Sequence, residues 1–279
     1  MEIDLVALEP LLRAALAEDI GSGDVTTRLF VPDGVSGRAA IVAKASGVLA
    51  GLPVALEVMR LAQNGPLELV SQAADGGRVA PGDFVLEVQG EAAGLLGAER
   101  CALNFLMRLS GIASLTARFV EAVKGTGVRI LDTRKTAPGL RILDKYAVAC
   151  GGGSNHRFGL DDAVLVKENH LAFGASLADA LAARPSGMPA IVEVENLDQF
   201  RAAAAAGADV VMLDDFSPDE VREACDLLPD AQRPKIEVSG GITLLNVRAY
   251  AEAGADRISS GTLTHSAPSL DFSMRATRA

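Results

Sequence analysis

From residue 128 onward, six places in the sequence put charged, hydroxyl or glycine residues at the end of a short apolar run. They are Asp132-Thr133-Arg134-Lys135-Thr136, Lys167-Glu168-Asn169-His170, Glu193 with Glu195, Asp214-Asp215, Ser239-Gly240-Gly241 and Ser260-Gly261-Thr262. Their types divide by chemistry. Arg and Lys suit anions: the planar Arg fork grips a carboxylate with two hydrogen bonds, and the Lys ammonium follows a shifting charge. A carboxylate pair such as Glu193 and Asp214 suits a divalent cation held partly through water, or sugar hydroxyls. Its plainer reading is charge balance for Lys135 and Lys167. Gly-rich corners let backbone N–H groups approach a phosphate closely. Any one of these would pass as a solvated loop, but six on successive units point to a shared rim. The patterns GxxxxGK[ST] and GxGxxG do not occur, which argues against a P-loop or a dinucleotide fold.

The elements that must carry this rim are legible. Apolar runs at 128–131, 163–166, 190–194, 209–213, 235–238 and 256–259 alternate with helical patterns, which predicts parallel βα units. Functional groups in such folds gather at the C-terminal ends of the strands. Six strands are fewer than the eight of a complete barrel, so an open α/β barrel or a doubly wound sheet both fit. Upstream, the spacing predicts a helix over 5–18 that stops near Gly21 and Gly23, a strand over 39–43 and a helix over 53–62. A turn over 75–83 feeds a strand over 84–88. That turn is similar to the hairpin of biotinyl and lipoyl carrier domains, but no Lys sits at its tip, so it reads as structural. Two helices follow, over 95–109, carrying Arg100, and over 114–123.

Composition narrows the classes further. The chain has 279 residues, 49% hydrophobic and 22% charged, enough for about two globular domains. Its uncharged stretch at 45–56 is far shorter than the roughly 20 residues of a membrane span. The acidic start, Met1-Glu2-Ile3-Asp4, does not read as a signal peptide, and a cytoplasmic protein is expected. Cys101, Cys150 and Cys225 form no CxxC pair and read as reduced thiols. His156, His170 and His265 are too scattered for metal-ligand spacing. Net charge is −10 with no basic run, so nucleic acid is not an expected partner. The charge is uneven, however. Residues 100–170 hold 11 basic and six acidic side chains, a net of +5, against 15 and 30, or −15, elsewhere. A cationic middle in an acidic chain suits a cleft for a small, highly charged anion.

Several segments, in order along nearly the whole chain, resemble the quinolinate phosphoribosyltransferase family. They are 17–27 (Ala-Glu-Asp-Ile-Gly-Ser-Gly-Asp-Val-Thr-Thr), 99–106 with Ser110-Gly111-Ile112-Ala113, and 131–141 (Leu-Asp-Thr-Arg-Lys-Thr-Ala-Pro-Gly-Leu-Arg). They continue through Gly151-Gly152-Gly153-Ser154-Asn155-His156-Arg157, Lys167-Glu168-Asn169-His170, Ser239-Gly240-Gly241-Ile242 and Leu263-Thr264-His265-Ser266. The resemblance implies an N-terminal α/β sandwich, residues 1–110 joined by the tail 267–279, on an incomplete α/β barrel, 111–266. It implies transfer of phosphoribosyl from phosphoribosyl pyrophosphate to quinolinate with Mg²⁺, releasing pyrophosphate and CO₂ and leaving nicotinate mononucleotide. It also implies a homodimer or higher homo-oligomer. Arg134, His156, Arg157 and Lys167 would line the quinolinate pocket, with Arg100 reaching in from a partner subunit. Lys135, Glu193, Asp214, Ser239, Gly240, Gly241, Gly261 and His265 would face the phosphoribosyl substrate. Lys135, Lys167, Glu193 and Asp214 would carry the chemistry, and Glu193 and Asp214 would hold Mg²⁺ indirectly. Three positions depart from the family pattern: Ala137 for Thr, Glu168 for Asp and Asp215 for Asn. Asp215 adds a negative charge beside the expected Mg²⁺ side and so bears on metal affinity.

The charge count agrees with this reading, because two polyanions sharing one cleft need clustered cations. Other readings stand beside it. Lys167 at a strand end could be the nucleophile of a Schiff-base aldolase, although an aldolase has no need for so many flanking cations. A same-fold phosphoribosyltransferase with another acceptor, or a non-catalytic nucleotide-binding paralogue, would share most of these residues.

Overall fold

The computed structural model describes residues 3–174, 176–229 and 232–279. They form two compact units. One comprises the chain up to Leu115 with Ile142–Gly152 and Ala267–Ala279, and the other Thr116–Arg141 and Gly153–Ser266.

In the first unit, α1 (Leu5–Ile20) opens at Asp4, whose carboxylate accepts from the N–H groups of Val6 and Ala7. It closes at Gly21, whose φ of 55° is the left-handed conformation glycine tolerates. Leu8, Leu12 and Leu16 form its buried stripe. Next come α2 (Val25–Phe30), β1 (Ser36–Ala43), β2 (Gly47–Val48), α3 (Leu52–Leu61), β3 (Glu68–Gln72), β4 (Arg78–Val79) and β5 (Phe84–Glu91). The last residues of the chain, Phe272–Arg278, form a strand antiparallel to β1. The resulting four-stranded sheet runs C-terminal strand, β1, β5, β3.

The two helices expected over 95–109 and 114–123 are one helix, α4 (Ala92–Ala122). The small residues between them serve lateral packing and leave the helix unbroken. A Cβ on Gly111 would stand 2.9 Å from Ser269 Cα, so glycine there admits the C-terminal segment. Ser110 Oγ accepts from Ala50 N at 3.0 Å and Ser114 Oγ from Val48 N at 2.8 Å. In α5 (Arg141–Cys150), buried Asp144 accepts both Nε and an NH2 of Arg108, at 3.0 and 2.8 Å. Tyr146 donates to Asp75 at 2.7 Å, and Asp75 also accepts the N–H groups of Gly51 and Leu52 at the start of α3. The three cysteines are free thiols. Burial pushes those of Cys101 and Cys150 up to about 11, which leaves them unreactive near neutrality.

The second unit has strands at all six apolar runs: β6 (Arg129–Leu131), β7 (Val164–Val166), β8 (Ala190–Val194), β9 (Val210–Asp214), β10 (Lys235–Ser239) and β11 (Arg257–Ser259). Every pairing is parallel, in the order β6, β11, β10, β9, β8, β7. The edges β6 and β7 do not pair with each other, so the barrel is open. Beside β6, Ser154 bridges Leu131 and continues the sheet by one residue. Ile236, Val238 and Ile258 are fully buried, the near-continuous apolar pattern of strands covered on both faces. One lateral row departs from it: Glu193, Met212, Glu237 and Arg257 stand in register on β8 to β11. Among the described residues no helix is long and apolar enough to cross a membrane.

Candidate active site

At the C-terminal ends of the parallel strands lies a cavity of about 370 Å³. Its charged and hydroxyl lining includes Arg134, Lys135, His156, Arg157, Lys167, Glu193, Asp214 and Ser239, with Leu165 and Met212 as apolar wall. The parallel topology brings these residues together because most follow, or end, a strand of one sheet, while His156 and Arg157 follow the Ser154 bridge beside β6.

Two loops carry most of the cations, and one buried carboxylate ties them. Asp132 is fully buried and accepts from His156 N at 2.8 Å and Asn155 Nδ2 at 2.6 Å. The loop bearing Arg134 and Lys135 is thereby fixed to the loop bearing His156 and Arg157. Arg141 adds a second tie, donating to Thr136 Oγ1 at 3.2 Å and to Phe158 O at 3.1 Å. Lys135 is held through its backbone: its N–H donates to Thr133 Oγ1 at 3.0 Å, and its carbonyl accepts from Thr264 Oγ1 at 2.9 Å.

Arg134 and Arg157 lie close enough to repel. Burial first, and then the Arg134 charge, pull the Arg157 guanidinium below its ordinary value, with Asp162 opposing. The Nε atoms of both are buried and meet no hydrogen-bond partner among the described residues. Buried donors of that kind call for an acceptor from outside the chain. Across the cavity, Lys167 bonds Glu193. Burial raises the Asp214 carboxyl above its usual range, and Glu193 and Asp215 raise it further, against the pull of Lys167 and Lys135. The two guanidiniums thus stand together, and the acids Glu193 and Asp214 lie with Lys167 and within reach of the Lys135 charge.

Four glycines and histidines expected here support the rim without being part of the cavity lining. A Cβ on Gly261 would stand 2.9 Å from Lys135 Cδ and 3.0 Å from His265 Nε2, so Gly261 makes room for both side chains. Gly240, φ 87°, packs on Asp215, where a Cβ would come within 2.9 Å of the Asp215 nitrogen. Gly241 also has positive φ, 57°. Arg100 is an exposed residue of α4 in the first unit. His170 stays local: its Nδ1 accepts from Lys167 N at 2.9 Å.

Two residues not expected from the sequence join the site: Ser259 lines the cavity, and Glu237 is fully buried against His156. A signal for Glu237 was present: a lone acid between Ile236 and Val238 in a strand expected to be buried on both faces.

Asp215 is the one non-glycine with positive φ among the described residues, at 57°, and its N–H donates to Ser239 O at 3.1 Å. Asn tolerates that conformation better than most residues. Asp215→Asn should remove a like charge from Asp214 and stabilise the protein near neutral pH. The sign follows from linkage. A carboxyl raised on folding adds stability below its unfolded value and loses it as pH rises through the folded one. Removing Asp215 narrows that window from above, so the melting temperatures of variant and parent should coincide in acid and diverge as Asp214 ionises. A constant difference at every pH would reject the electrostatic part of this account.

Comparison with known proteins places these features. The family profile of the quinolinate phosphoribosyl transferase C-terminal domain matches residues 112–275, and that of the N-terminal domain residues 24–110. The chain is 43% identical over 274 residues to a probable nicotinate-nucleotide pyrophosphorylase (carboxylating) of Bacillus subtilis, covering 97% of this chain and 93% of that one. It is 42% identical over 276 residues to the Mycobacterium leprae nicotinate-nucleotide pyrophosphorylase (carboxylating), covering 96% of each. The crystal structure of NadC from Streptococcus pyogenes superimposes with a TM-score of 0.93 at 42% identity, covering 100% of this chain and 99% of that one. With both halves matched in order and the fold shared end to end, the chain belongs to the quinolinate phosphoribosyl transferase family.

Proposed function

We propose that this protein joins quinolinate to the phosphoribosyl group of phosphoribosyl pyrophosphate, releasing pyrophosphate and CO₂ and leaving nicotinate mononucleotide. The observation that carries the reading is the pair of crowded guanidiniums, Arg134 and Arg157, with buried Nε atoms that meet no partner among the described residues, in a cavity that also presents Glu193 and Asp214 beside Lys167. A dicarboxylate satisfies the guanidiniums. A ribose bearing phosphates, with a divalent cation, satisfies the acids and the lysine.

In this reading Arg134 and Arg157 bind the quinolinate carboxylates and aim the ring nitrogen at ribose C1. Arg100 of a partner copy adds a further cation to that pair, which makes the working unit a homodimer or a multiple of it. The bond from C1 to pyrophosphate breaks as the bond from C1 to nitrogen forms. Lys135 holds the departing pyrophosphate, and the N–H groups around Ser239, Gly240, Gly241 and Gly261, with His265, hold phosphate. Glu193 and Asp214 face the positive charge that develops on the ribose, or its hydroxyls. The ribosylated ring is cationic, so it accepts the electron pair left at C2 when CO₂ departs, and a proton then takes the carboxylate's place. Lys167 steadies that stage.

Mg²⁺ fits beside Glu193 and Asp214, where burial first, and then the Glu193 and Asp215 charges, raise the Asp214 carboxyl against the pull of Lys167 and Lys135, so that a cation there would relieve both effects. Among the described residues no three His, Cys, Asp or Glu side chains converge as a metal site. Glu193 and Asp214 would therefore hold the ion together with water and phosphate oxygens. When bound, it supplies charge stabilisation to the leaving pyrophosphate. A cytoplasmic enzyme of NAD synthesis is the setting this reading implies.

Carboxyl-labelled quinolinate tests it. Equal amounts of CO₂ and nicotinate mononucleotide, dependent on phosphoribosyl pyrophosphate and on Mg²⁺, are expected. Neither product, from folded protein that still binds phosphoribosyl pyrophosphate, would point to another acceptor or to a binding role.

A further inference from the structure

Glu237 lies in the middle of β10, in register with Met212 on β9 and Arg257 on β11, and is fully buried. A carboxylate in the interior of a parallel barrel, where Val or Leu would pack, is costly to desolvate. Its Oε1 lies 3.3 Å from His156 Nε2 and its Oε2 3.9 Å from an NH1 of Arg257. Neither oxygen makes a hydrogen bond of good geometry with any described group. Above it, His156 Nδ1 accepts the Arg157 backbone N–H at 2.7 Å. An imidazole nitrogen that accepts carries no proton, so in this arrangement the ring hydrogen is on Nε2, the atom that faces Glu237. The line from Glu237 through the imidazole thus ends on the backbone of Arg157.

We propose that Glu237 is a positioning residue for the acceptor substrate, acting through His156. The Glu237 charge, 3.3 Å from Nε2, favours the ring hydrogen there and leaves Nδ1 as an acceptor, and Nδ1 fixes the turn that points the Arg157 guanidinium into the cavity beside Arg134. The inference rests on reading Arg134, His156 and Arg157 as the quinolinate side of the site. It adds that the affinity of that side is set from inside the barrel, by a residue that touches no substrate. The phosphoribosyl side, carried by Lys135, Asp214 and the glycine corners, is reached by a different route and does not depend on Glu237.

Two variants and one background test this. Glu237→Leu removes both charge and acceptor, and Glu237→Gln keeps the volume and an acceptor oxygen. Glu237→Leu should raise the KM and the calorimetric Kd for quinolinate about 10- to 100-fold, the range known for losing the outer partner of a functional His. Glu237→Gln should raise them less, and KM for phosphoribosyl pyrophosphate should stay within about twofold. In a His156→Asn background the Glu237 variants should bring no further loss. Equal losses for both substrates, the same loss with and without His156, or parental quinolinate affinity in either folded variant would overturn the inference. If Glu237→Leu does not fold, Glu237→Gln decides alone. Arg157→Met, measured alongside, separates the two claims: if it leaves quinolinate binding intact, the quinolinate-side reading itself falls.

Discussion

Lys135→Ala should lower kcat/KM for nucleotide formation about 10²- to 10³-fold, the usual effect of removing one preorganised donor from a developing anion. Quinolinate affinity should stay within about twofold of the parent. The asymmetry follows from how Lys135 is held. Its backbone is bonded to Thr133 on one side and to Thr264 on the other. Truncating the side chain therefore leaves both ties, and leaves the loop that carries Arg134, in place. The lost group is the ammonium, which this reading sets against pyrophosphate. Gly261→Ala offers an independent approach, since its Cβ would displace the stem of the same lysine from 2.9 Å. It should reproduce part of the loss. Calorimetric titration with each substrate, beside steady-state rates, checks the separation. A fall in quinolinate affinity equal to the fall in rate would show that Lys135 serves both substrates and that the cavity is not divided as described.

The barrel was legible because its signal is local. Each strand is a run of β-branched or apolar residues bounded by a polar or glycine corner, and the alternation with helices dictates parallel pairing. The strand-end residues that line the cavity came with it. The first unit was harder to read, and α4 shows why. Ser110 and Gly111 resemble a helix stop, yet their role is lateral, one bonding Ala50 and the other admitting the segment at Ser269. Nothing in a sequence window distinguishes a glycine that ends a helix from one that lets another chain segment approach. The helix α5 makes the same point. It follows β6 in the position of an ordinary barrel helix, but most of it groups with the first unit, where it buries Asp144 against Arg108 and joins Tyr146 to Asp75. Those partners lie 36 and 71 positions away. The strand β3, exposed along its length, carries no alternation to read.

Residue type revealed candidate ligands for the substrates but not what orients them. Arg134, Lys135 and Arg157 stand out as cations in an acidic chain. Asp132 reads as one strand-end acid among several, and Glu237 only as a lone acid in an apolar run, so neither shows its role. Their roles depend on full burial and on what each meets: the His156 N–H and the Asn155 side-chain amide for Asp132, and an imidazole and a guanidinium for Glu237.

Arg157→Met should cost quinolinate binding about 2–5 kcal/mol, or roughly 30- to several-thousand-fold in Kd, the loss expected when one partner of a desolvated charge pair is truncated. The same change should not destabilise the free protein in proportion. In the free protein the Arg157 guanidinium is held below its ordinary value by burial and by Arg134, so its charge opposes folding. Among the described residues it makes a hydrogen bond from an NH1 to Ala163 O at 3.2 Å. Replacing it exchanges that bond for relief of repulsion, the pattern of a site kept under strain for its ligand. A dianion bound to the parent removes the same repulsion, so quinolinate should raise the parent's melting temperature and leave that of Arg157→Met unchanged. Thermal melts of both proteins with and without quinolinate decide the matter. A variant that melts well below the free parent, yet is still stabilised by quinolinate, would make Arg157 a structural residue and move the acceptor elsewhere in the cavity.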